Sequence, residues 1–388
     1  MLKCSQPILT DREAYMAHAV SLARQGLGPT APNPCVGAVL VSDGRIVAQG
    51  FHERFGQPHA EVRCLADARE KGVDPSQCEM FVTLEPCNHY GKTPPCTRAV
   101  FDAGIRSIAI GCLDPNPDVA GGGAAFLESN GVRVEVGLLY DECRDLIDDF
   151  LVWKDTKRPY VFLKMATTLD GRIACRNGHS SYVTGPLSRK RVHELRARVG
   201  AVMIGGGTLR ADNPGLDVRL NPMPENANDP LAVIVTSNLP GKSAALKLLE
   251  HRPEKTIFFT NNTSASHPNA TRLTSMGVRV IALPPATSED GNDESGLNLE
   301  FGLIKLRQEY GVHHVLCEGG GGLAMSLFEA GLVDETLLFQ APKILGDDQA
   351  IPVFYGRSPL QMDEALPVRV TSVQPVGDDF LLTLKRPR

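Results

Sequence analysis

The sequence predicts an α/β protein of two domains, for three reasons. The chain has 388 residues, enough for two domains of roughly 100–200 residues each. Short apolar strands alternate with helical segments along most of its length. A charged segment containing proline, residues 156–159, interrupts that alternation. We therefore predict a first domain over residues 1–156 and a second over residues 157–388.

The composition argues against several classes of protein. With 42% hydrophobic and 22% charged residues, the chain resembles an ordinary globular protein. A net charge of −5 and a pI near 6.1 disfavour a nucleic-acid-binding protein, and the low aromatic content (6%) disfavours base stacking. No apolar run reaches the roughly 18 residues of a membrane helix, and the N-terminus lacks the apolar core of a signal peptide. We expect a cytoplasmic protein whose ten cysteines are reduced.

The first domain is predicted to begin with a helix and a hairpin. Thr10 and Glu13 form a candidate capping box ahead of a helical apolar stripe. Asp43-Gly44 is a turn signal between strands 36–41 and 45–51. The elements predicted next are a helix over 59–70, a strand over 80–84, a helix over 95–103, a strand over 105–111, a helix–strand pair ending near Val136 and a helical stretch over 139–150. This order predicts a mixed sheet covered by helices.

The second domain is also predicted to be α/β. The predicted strands are 160–165, 200–204, 231–236, 255–260, 278–282 and 313–317, and the predicted helices are 186–198, 301–310 and 323–331. Two polar segments, 221–230 and 284–298, are predicted to be loops, the second an exposed, mobile insertion without a chemical role.

A candidate metal site lies in the first domain. His59, Cys87 and Cys96 offer one imidazole and two thiolates, a donor set that suits zinc. Three protein ligands leave the fourth position for water, which zinc activates at neutral pH. Glu61, two residues after His59, is placed to move protons, as in the zinc deaminases. The residues alone leave two alternatives open: a structural site with His89 as fourth ligand, or buried thiols without metal. The other eight cysteines are predicted to be small core or surface residues.

Three glycine-containing segments of the second domain suggest a nucleotide site. Residues 163–172, 204–219 and 316–326 each follow a predicted strand with polar or glycine residues. Backbone N–H groups at a helix N-terminus attract phosphate, and glycine permits a close approach. Each segment taken singly is equally compatible with a tight turn that binds nothing.

The longest motif identifies a family resemblance. Asn33-Pro34, Val36-Gly37, the sequence HAEV at 59–62 and TLEPCNHYGKTPPC at 83–96 resemble the deaminase half of the bifunctional riboflavin-biosynthesis (RibD) family. The eight residues between Cys87 and Cys96 depart from the C-x-x-C spacing of other zinc deaminases and match this branch. The three glycine-containing segments resemble the reductase half. The resemblance implies a cytidine-deaminase-like mixed sheet, then a dihydrofolate-reductase-like α/β domain.

The resemblance also implies two activities and two cofactors. The first is hydrolytic, Zn²⁺-dependent deamination of 2,5-diamino-6-ribosylamino-4(3H)-pyrimidinone 5′-phosphate. The second is NADPH-dependent reduction of the ribosyl side chain, giving 5-amino-6-(5-phosphoribitylamino)uracil. Glu61 would be the catalytic proton carrier of the first. Lys164 and Asp212 are both candidate proton donors for the second.

Site residues follow from the same resemblance, position by position. NADPH would contact Ala166, Tyr182, Thr208, Asp212, Ser237, Gly320, Gly321, Gly322, Leu323, Ala324, Met325 and Ser326. The substrates would contact Asn33, His52, Lys164, Ser180, Arg196, Leu216, Arg219 and Glu318. Tyr182 stands where many relatives carry tryptophan. Arg196 and Arg219 would clamp phosphate, or else be solvated surface arginines. Asn33 and His52 would read the pyrimidine, or else be a turn residue and a surface histidine.

The expected partners are small molecules, without nucleic acid or membrane, and the chain is expected to form a homo-oligomer. Two other hypotheses compete with the bifunctional enzyme. One is a nucleic-acid or nucleoside deaminase with an unrelated second domain. The other is a binding protein in which a degenerate reductase domain acts as a scaffold.

Overall fold

The computed structural model describes residues 10–89, 94–115, 122–224, 227, 229–287 and 293–387. Cys4, the segment 90–93 between the two ligand cysteines and most of the central part of the 284–298 segment lie outside these ranges. The chain divides into two units, the first ending at Asp155 and the second beginning at Thr156. Among the described residues, no helix combines the length and the apolarity needed to cross a bilayer.

The first unit contains a five-stranded sheet with the order β2-β1-β3-β4-β5. Its strands are β1 (Gly37–Ser42), β2 (Arg45–Phe51), β3 (Glu79–Leu84), β4 (Ser107–Cys112) and β5 (Arg133–Val136). Its helices are α1 (Asp11–Ala23), α2 (Ala60–Glu70), α3 (Cys96–Asp102), α4 (Gly123–Ser129), α5 (Tyr140–Asp145) and α6 (Asp148–Asp155). Strand β1 is antiparallel to β2 and β3, whereas β3, β4 and β5 run parallel. The predicted mixed sheet covered by helices is confirmed.

Local sequence explains why these elements form. The predicted capping box is present, since Thr10 and Glu13 each satisfy the other's backbone N–H. Asp43 and Gly44 both have positive φ, as the predicted hairpin turn requires. Helix α1 packs so closely against β1 that a Cβ on Gly37 would lie 2.1 Å from the Ala19 carbonyl oxygen. Separate apolar clusters fill the two faces of the sheet.

The second unit contains a nine-stranded sheet with the order β11-β10-β9-β8-β14-β6-β15-β18-β17. Its strands are β6 (Tyr160–Thr168), β7 (Arg172–Ala174), β8 (Ala201–Gly205), β9 (Leu231–Val235), β10 (Thr256–Thr260), β11 (Arg279–Ala282), β12 (Pro285–Thr287), β13 (Asp293–Leu297), β14 (His314–Cys317), β15 (Glu335–Ala341), β16 (Ile351–Pro352), β17 (Arg369–Val376) and β18 (Asp379–Lys385). Its helices are α7 (Pro186–Arg196), α8 (Gly206–Asp212), α9 (Lys247–His251), α10 (Asn262–Ala265), α11 (Pro268–Ser275), α12 (Leu299–Tyr310) and α13 (Gly321–Glu329).

Seven of these strands, from β11 to β15 in the sheet order, run parallel, and β18 and β17 continue the sheet antiparallel. The six predicted strands and three predicted helices of this unit are confirmed, with ends that shift by a few residues. The sequence analysis missed β15, β17 and β18. Strand β17 is the edge of the sheet, and its mostly exposed or half-exposed residues lack a continuous apolar signal.

The segment 284–298 was predicted to be a loop, and this is wrong for part of it. Strands β12 and β13 pair antiparallel as a separate two-stranded sheet. The sequence here is rich in proline, serine and acidic residues, which strands usually avoid. The hydrogen bonds between the two strands, rather than local preference, therefore define this ribbon.

A buried carboxylate connects the C-terminal hairpin to α7. Asp379, 3% exposed, begins β18 directly after the turn that follows β17. Its Oδ2 accepts hydrogen bonds from the Gly185 N–H (2.7 Å) and the Ser188 hydroxyl (2.6 Å) at the start of α7. Because these donors belong to the first turn of a helix, the carboxylate caps α7 from another element.

We predict that Asp379→Ala lowers the free energy of unfolding of the second unit by about 2 kcal/mol or more, because both donors lose a charged acceptor. Denaturant titration of the full chain measures the effect. Asp378→Ala, a change at the exposed neighbouring position, is the control and should leave stability nearly unchanged. Equal stability of the two variants would contradict the assigned role.

Candidate metal centre and nucleotide cavity

The sheet and two helix starts bring the predicted metal ligands together. His59 is the N-cap residue of α2, and its side chain makes no capping hydrogen bond, which leaves the imidazole free for another partner. Cys87 follows the carboxyl end of β3, and Cys96 is the first residue of α3. The Nδ1 of His59 lies 3.7 Å from the Cys87 Sγ and 3.4 Å from the Cys96 Sγ. The three residues predicted from the sequence therefore form one cluster.

The donor set fits zinc. The three ligand atoms lie within 4.8 Å of one another, and one nitrogen with two sulfurs is a common zinc environment. Among the described residues, no fourth His, Cys, Asp or Glu belongs to the cluster. His89 is exposed and is not part of it, so the alternative of a closed four-ligand site with His89 is wrong. An open coordination position is what a hydrolytic centre requires.

Burial and neighbouring groups shift the pKa values of residues in and beside the cluster. Glu61 is 3% exposed, and burial raises its pKa to about 7. A carboxyl group with a pKa near neutrality can both accept and return a proton. The pKa of Cys87 is lowered to about 4 by a hydrogen bond from Cys96 and by His59, whereas the pKa of Cys96 is raised. The hydrogen bond from Cys96 and the nearby His59 thus favour the thiolate form of Cys87, which is the form that binds zinc.

Asn33 and His52 lie beside the cluster. His52 is 2% exposed, so its alternative as a surface histidine is wrong. Its ring packs edge-on against His59 at 5.2 Å. The carbonyl oxygen of Pro58 lies 3.2 Å from the His52 Nδ1 and assigns the proton to that nitrogen. The Asn33 amide then donates to the His52 Nε2 (3.3 Å), which orients the Asn33 carbonyl oxygen away from the histidine.

Among the described residues, the other cysteines belong to no cluster of three or more candidate metal ligands. Cys35, Cys64, Cys112, Cys143 and Cys317 are buried, as small core residues are. Cys78 is also buried and Cys175 is half-exposed. For the buried cysteines, the prediction of an ordinary core role is confirmed.

The second unit contains a cavity of about 530 Å³ at the carboxyl edge of its central strands. Strands β8, β14 and β6 are adjacent and parallel, so the segments that follow them meet at one edge. The cavity is lined by most of the predicted reductase residues: Lys164, Ala166, Ser180, Tyr182, Thr208, Asp212, Glu318, Gly320, Gly321, Gly322 and Leu323. The three glycine-containing segments thus form one site rather than separate turns.

Glycine is required where α13 begins. Gly319 and Gly320 have positive φ, and a Cβ on Gly321 would lie 2.7 Å from the Tyr355 ring. The N–H groups of the first turn of α13 have no partner within the helix, and this turn borders the cavity. This arrangement suits a phosphate group.

Two lining residues, Lys164 and Glu318, lie next to Arg196, which is outside the lining and forms an ion pair with Glu318. The Arg196 guanidinium donates two hydrogen bonds to Glu318 (2.5 and 2.8 Å) and one to the Asp217 carbonyl oxygen (2.9 Å). Burial acts to raise the Glu318 pKa, but Arg196 and Lys164 outweigh it and lower the pKa. Burial lowers the pKa of Lys164, which Glu318 partly restores. Arg196 is 7% exposed, so its alternative as a solvated surface residue is wrong.

Several predicted residues do not line the cavity. Ser237, Ala324, Met325, Ser326, Arg196, Leu216 and Arg219 lie outside its lining. Leu216 is 1% exposed and has positive φ, so its side chain is part of the core. The Arg219 side chain is 67% exposed, with Asp217 at 3.7 Å. Three of the five N–H donors of Arg196 already bond protein acceptors. The predicted phosphate contact did not take these bonds into account.

Two of the lining residues that the sequence analysis did not name are Arg189 and Tyr355. Arg189 lies over the Tyr182 ring (4.7 Å to its centre) and donates to the Thr184 carbonyl oxygen (2.7 Å). Tyr182 itself has positive φ and is 70% exposed, and the Lys343 ammonium bonds its carbonyl oxygen (2.8 Å). Tyr355 follows α13 in a region without a recognisable motif. Of these two residues, only Arg189 could have been found from the sequence, because it lies in the predicted helix that follows Tyr182.

Comparisons with known proteins match both halves of the chain. Residues 9–112 match the family model of the cytidine and deoxycytidylate deaminase zinc-binding region, and residues 159–382 match that of the RibD C-terminal domain. The riboflavin biosynthesis protein RibD of Aquifex aeolicus (strain VF5) is 38% identical over 96% of this chain and 98% of its own. RibD of Escherichia coli (strain K12) is 36% identical over 87% and 89%.

Solved structures give the same result. A diaminohydroxyphosphoribosylaminopyrimidine deaminase/5-amino-6-(5-phosphoribosylamino)uracil reductase from Thermotoga maritima is 35% identical, with a TM-score of 0.75, over 97% of this chain and 99% of its own. RibD from Acinetobacter baumannii (form 1) is 34% identical, with a TM-score of 0.73 over the same shares. With both halves matched in order and nearly the whole chain aligned, the chain belongs to the RibD family of riboflavin-biosynthesis proteins.

Proposed function

We propose that the chain is a bifunctional enzyme of riboflavin biosynthesis. It deaminates 2,5-diamino-6-ribosylamino-4(3H)-pyrimidinone 5′-phosphate and then reduces the ribosyl side chain with NADPH, giving 5-amino-6-(5-phosphoribitylamino)uracil. The observation that carries the proposal is that one chain combines two sites. One is the three-ligand cluster with a buried Glu61, and the other is the glycine-lined cavity beside Lys164 and Glu318.

In the deamination, the residues of the first unit bind and move protons. His59, Cys87 and Cys96 would hold zinc, which would supply a water activated at neutral pH. Glu61 would accept a proton from the attacking water and return it to the departing amino group, which would leave as ammonia. The carbonyl oxygen of Asn33, oriented by His52, accepts a hydrogen bond from the pyrimidine edge. The neutral His52 acts through Asn33 rather than through its own contact with the base.

In the reduction, the residues of the second unit orient the sugar. NADPH, when bound, would supply a hydride to C1′ of the opened ribosyl group. The Lys164 ammonium, which the charge of Glu318 favours, would deliver the proton to the adjacent nitrogen. We favour Lys164 over Asp212 because Asp212 is exposed and bonded to Ser180 (3.2 Å). The start of α13 binds a cofactor phosphate. Of the two arginines predicted to contact phosphate, Arg219 has the more exposed side chain.

We assign residues 1–156 to the deaminase domain and residues 157–388 to the reductase domain. The division of the chain at Asp155 supports this boundary. We further propose a homo-oligomer in the cytoplasm that binds small molecules and neither nucleic acid nor membrane. The exposed apolar side chains of the edge strand β17, Val370 and Val373, support association between copies. Sedimentation velocity tests the oligomer.

Mass spectrometry of the products tests the proposed function directly. The zinc-loaded protein is incubated with the diaminopyrimidine ribosylamino phosphate, with and without NADPH. We expect the exchange of one amino group for oxygen in both samples and the addition of two hydrogens only with NADPH. Deamination alone would refute the reductase assignment. No change in either sample would favour a deaminase acting on another amine, such as cytidine or single-stranded DNA, which the same assay can include.

We predict that Glu61→Gln retains zinc but lowers the deaminase kcat by roughly 10²–10⁴-fold, because the amide cannot carry the proton. Metal analysis, ammonia release and the reductase rate are measured together. Glu70→Gln, at an exposed position near the end of the same helix, is the matched control and should leave ammonia release unchanged. Normal deamination by Glu61→Gln would overturn the assigned role.

We predict that Arg196→Ala abolishes most of the reductase activity and leaves deamination intact. Loss of one partner strands the buried Glu318 carboxylate beside Lys164, at a cost of roughly 3–5 kcal/mol in stability. Arg191→Ala, at an exposed site of α7, is the control. Arg196→Lys keeps the charge but lacks the planar guanidinium that bonds both carboxylate oxygens. It provides a milder variant if the alanine variant unfolds the second unit. Loss of both activities in a folded protein would contradict independent sites.

A further inference from the structure

We propose that Glu85 is a positioning residue for the metal centre. Its carboxylate holds together the two ends of the loop between β4 and α4, and it thereby fixes the backbone that carries Cys87. Glu85 follows the last residue of β3 and precedes Pro86 and Cys87. The inference rests on the proposed deaminase function of the first unit and assigns a role to a residue outside the ligand set and the proton carrier.

Each oxygen of the Glu85 carboxylate accepts one backbone hydrogen bond. Its Oε2 accepts from the Asp114 N–H (3.0 Å), two residues beyond the end of β4. Its Oε1 accepts from the Ala124 N–H (2.8 Å), in the first turn of α4. Helices leave the N–H groups of the first turn without a partner inside the helix, so the carboxylate satisfies one of them. One side chain thus bonds both ends of the connection from β4 to α4.

The backbone beside Glu85 makes two further contacts with the same elements. The Glu85 N–H donates to the Cys112 carbonyl oxygen (2.9 Å) and continues the pairing of β3 with β4. Helix α4 begins so close to the ligand segment that a Cβ on Gly123 would lie 2.0 Å from the Pro86 carbonyl oxygen. Residues 85 and 86 are therefore fixed by side chain and backbone together, immediately before Cys87.

Contacts from the opposite side hold Cys87 against α3. The Thr97 N–H donates to the Cys87 carbonyl oxygen (3.2 Å), and the Cys96 N–H donates to the Cys87 Sγ (3.3 Å). Cys87 thus lies between the start of α3 and the Glu85 bridge. Zinc–thiolate bonds are about 2.3 Å long. Small displacements of this backbone therefore change how well the Cys87 sulfur is placed to bind the metal.

The carboxylate is required because both of its oxygens accept from N–H donors. A glutamine at this position offers only one acceptor oxygen, and its amide nitrogen would face a backbone N–H. Either the Asp114 or the Ala124 N–H then loses its partner. Residues that support metal ligands from outside the coordination shell typically contribute roughly 10–100-fold to metal affinity or activity.

The test compares Glu85→Gln with Glu128→Gln in the full-length protein. Glu128 is an exposed residue of α4, which makes the second variant a matched control for the same chemical change on the neighbouring helix. The zinc dissociation constant is measured by competition with a chromophoric chelator. The visible ligand-field absorption of the Co²⁺-loaded protein reports ligand geometry, and its near-ultraviolet thiolate-to-metal band reports thiolate ligation. Ammonia release and NADPH oxidation report the two activities.

For Glu85→Gln we expect roughly 10-fold weaker zinc binding, a changed cobalt spectrum and a lower deaminase kcat, with the reductase rate unchanged. Glu128→Gln should match the wild type in every readout. Glu85→Asp, which keeps both acceptor oxygens on a shorter side chain, should recover part of the lost zinc affinity. These changes together would separate positioning from a general loss of stability.

Two results would overturn the proposal. Zinc affinity and a cobalt spectrum equal to those of the wild type would show that Glu85 does not act on the ligands. A parallel loss of the reductase rate and of thermal stability would show that Glu85 supports folding in general. The zinc measurement does not depend on the substrate. A wild-type protein that binds zinc but does not deaminate the pyrimidine would therefore refute the proposed function and still leave the role of Glu85 decided.

Discussion

The hydrogen-bonded register between neighbouring parallel strands determines where both sites form. In the first unit, β3 and β4 pair in parallel, so the segments after them, which carry Cys87 and Asp114, leave the sheet at the same edge. In the second unit, β8, β14 and β6 pair in the same way, and their following segments enclose the cavity. A shift of one residue in this register would turn the side chains of the displaced strand to the opposite face of the sheet.

Buried charge makes both sites depend on their neighbours. Glu61, Glu318 and Asp379 are carboxylates with little or no contact with solvent, and each is compensated differently. Glu318 has Arg196 and Lys164, and Asp379 has the first turn of α7. Burial instead raises the pKa of Glu61 to about 7. A buried carboxylate with a full partner stays ionised and is costly to unpair, whereas one with a pKa near neutrality is available for proton transfer.

The two units use the start of a helix in different ways. In the first unit, α2 and α3 begin at metal-ligand residues, and α4 begins at the Glu85 bridge. In the second unit, α13 begins at the glycines that border the cavity. At α3 and α4, first-turn N–H groups donate to an electron-rich side chain, the Cys87 Sγ and the Glu85 carboxylate respectively.

The sequence by itself determined the α/β class, and it predicted the boundary near residue 156 and the residues of the metal centre. Apolar periodicity and turn residues are local, and His59, Glu61, Cys87 and Cys96 lie in short motifs with a distinct chemistry. Only the tertiary structure decided which elements became neighbours. It placed Arg196 on Glu318, buried His52 behind Asn33, added Tyr355 and Arg189 to the cavity and extended the sheet with β15, β18 and β17. These contacts join residues far apart in the chain, and no local pattern encodes them, because burial and pairing partners arise only when the strands assemble.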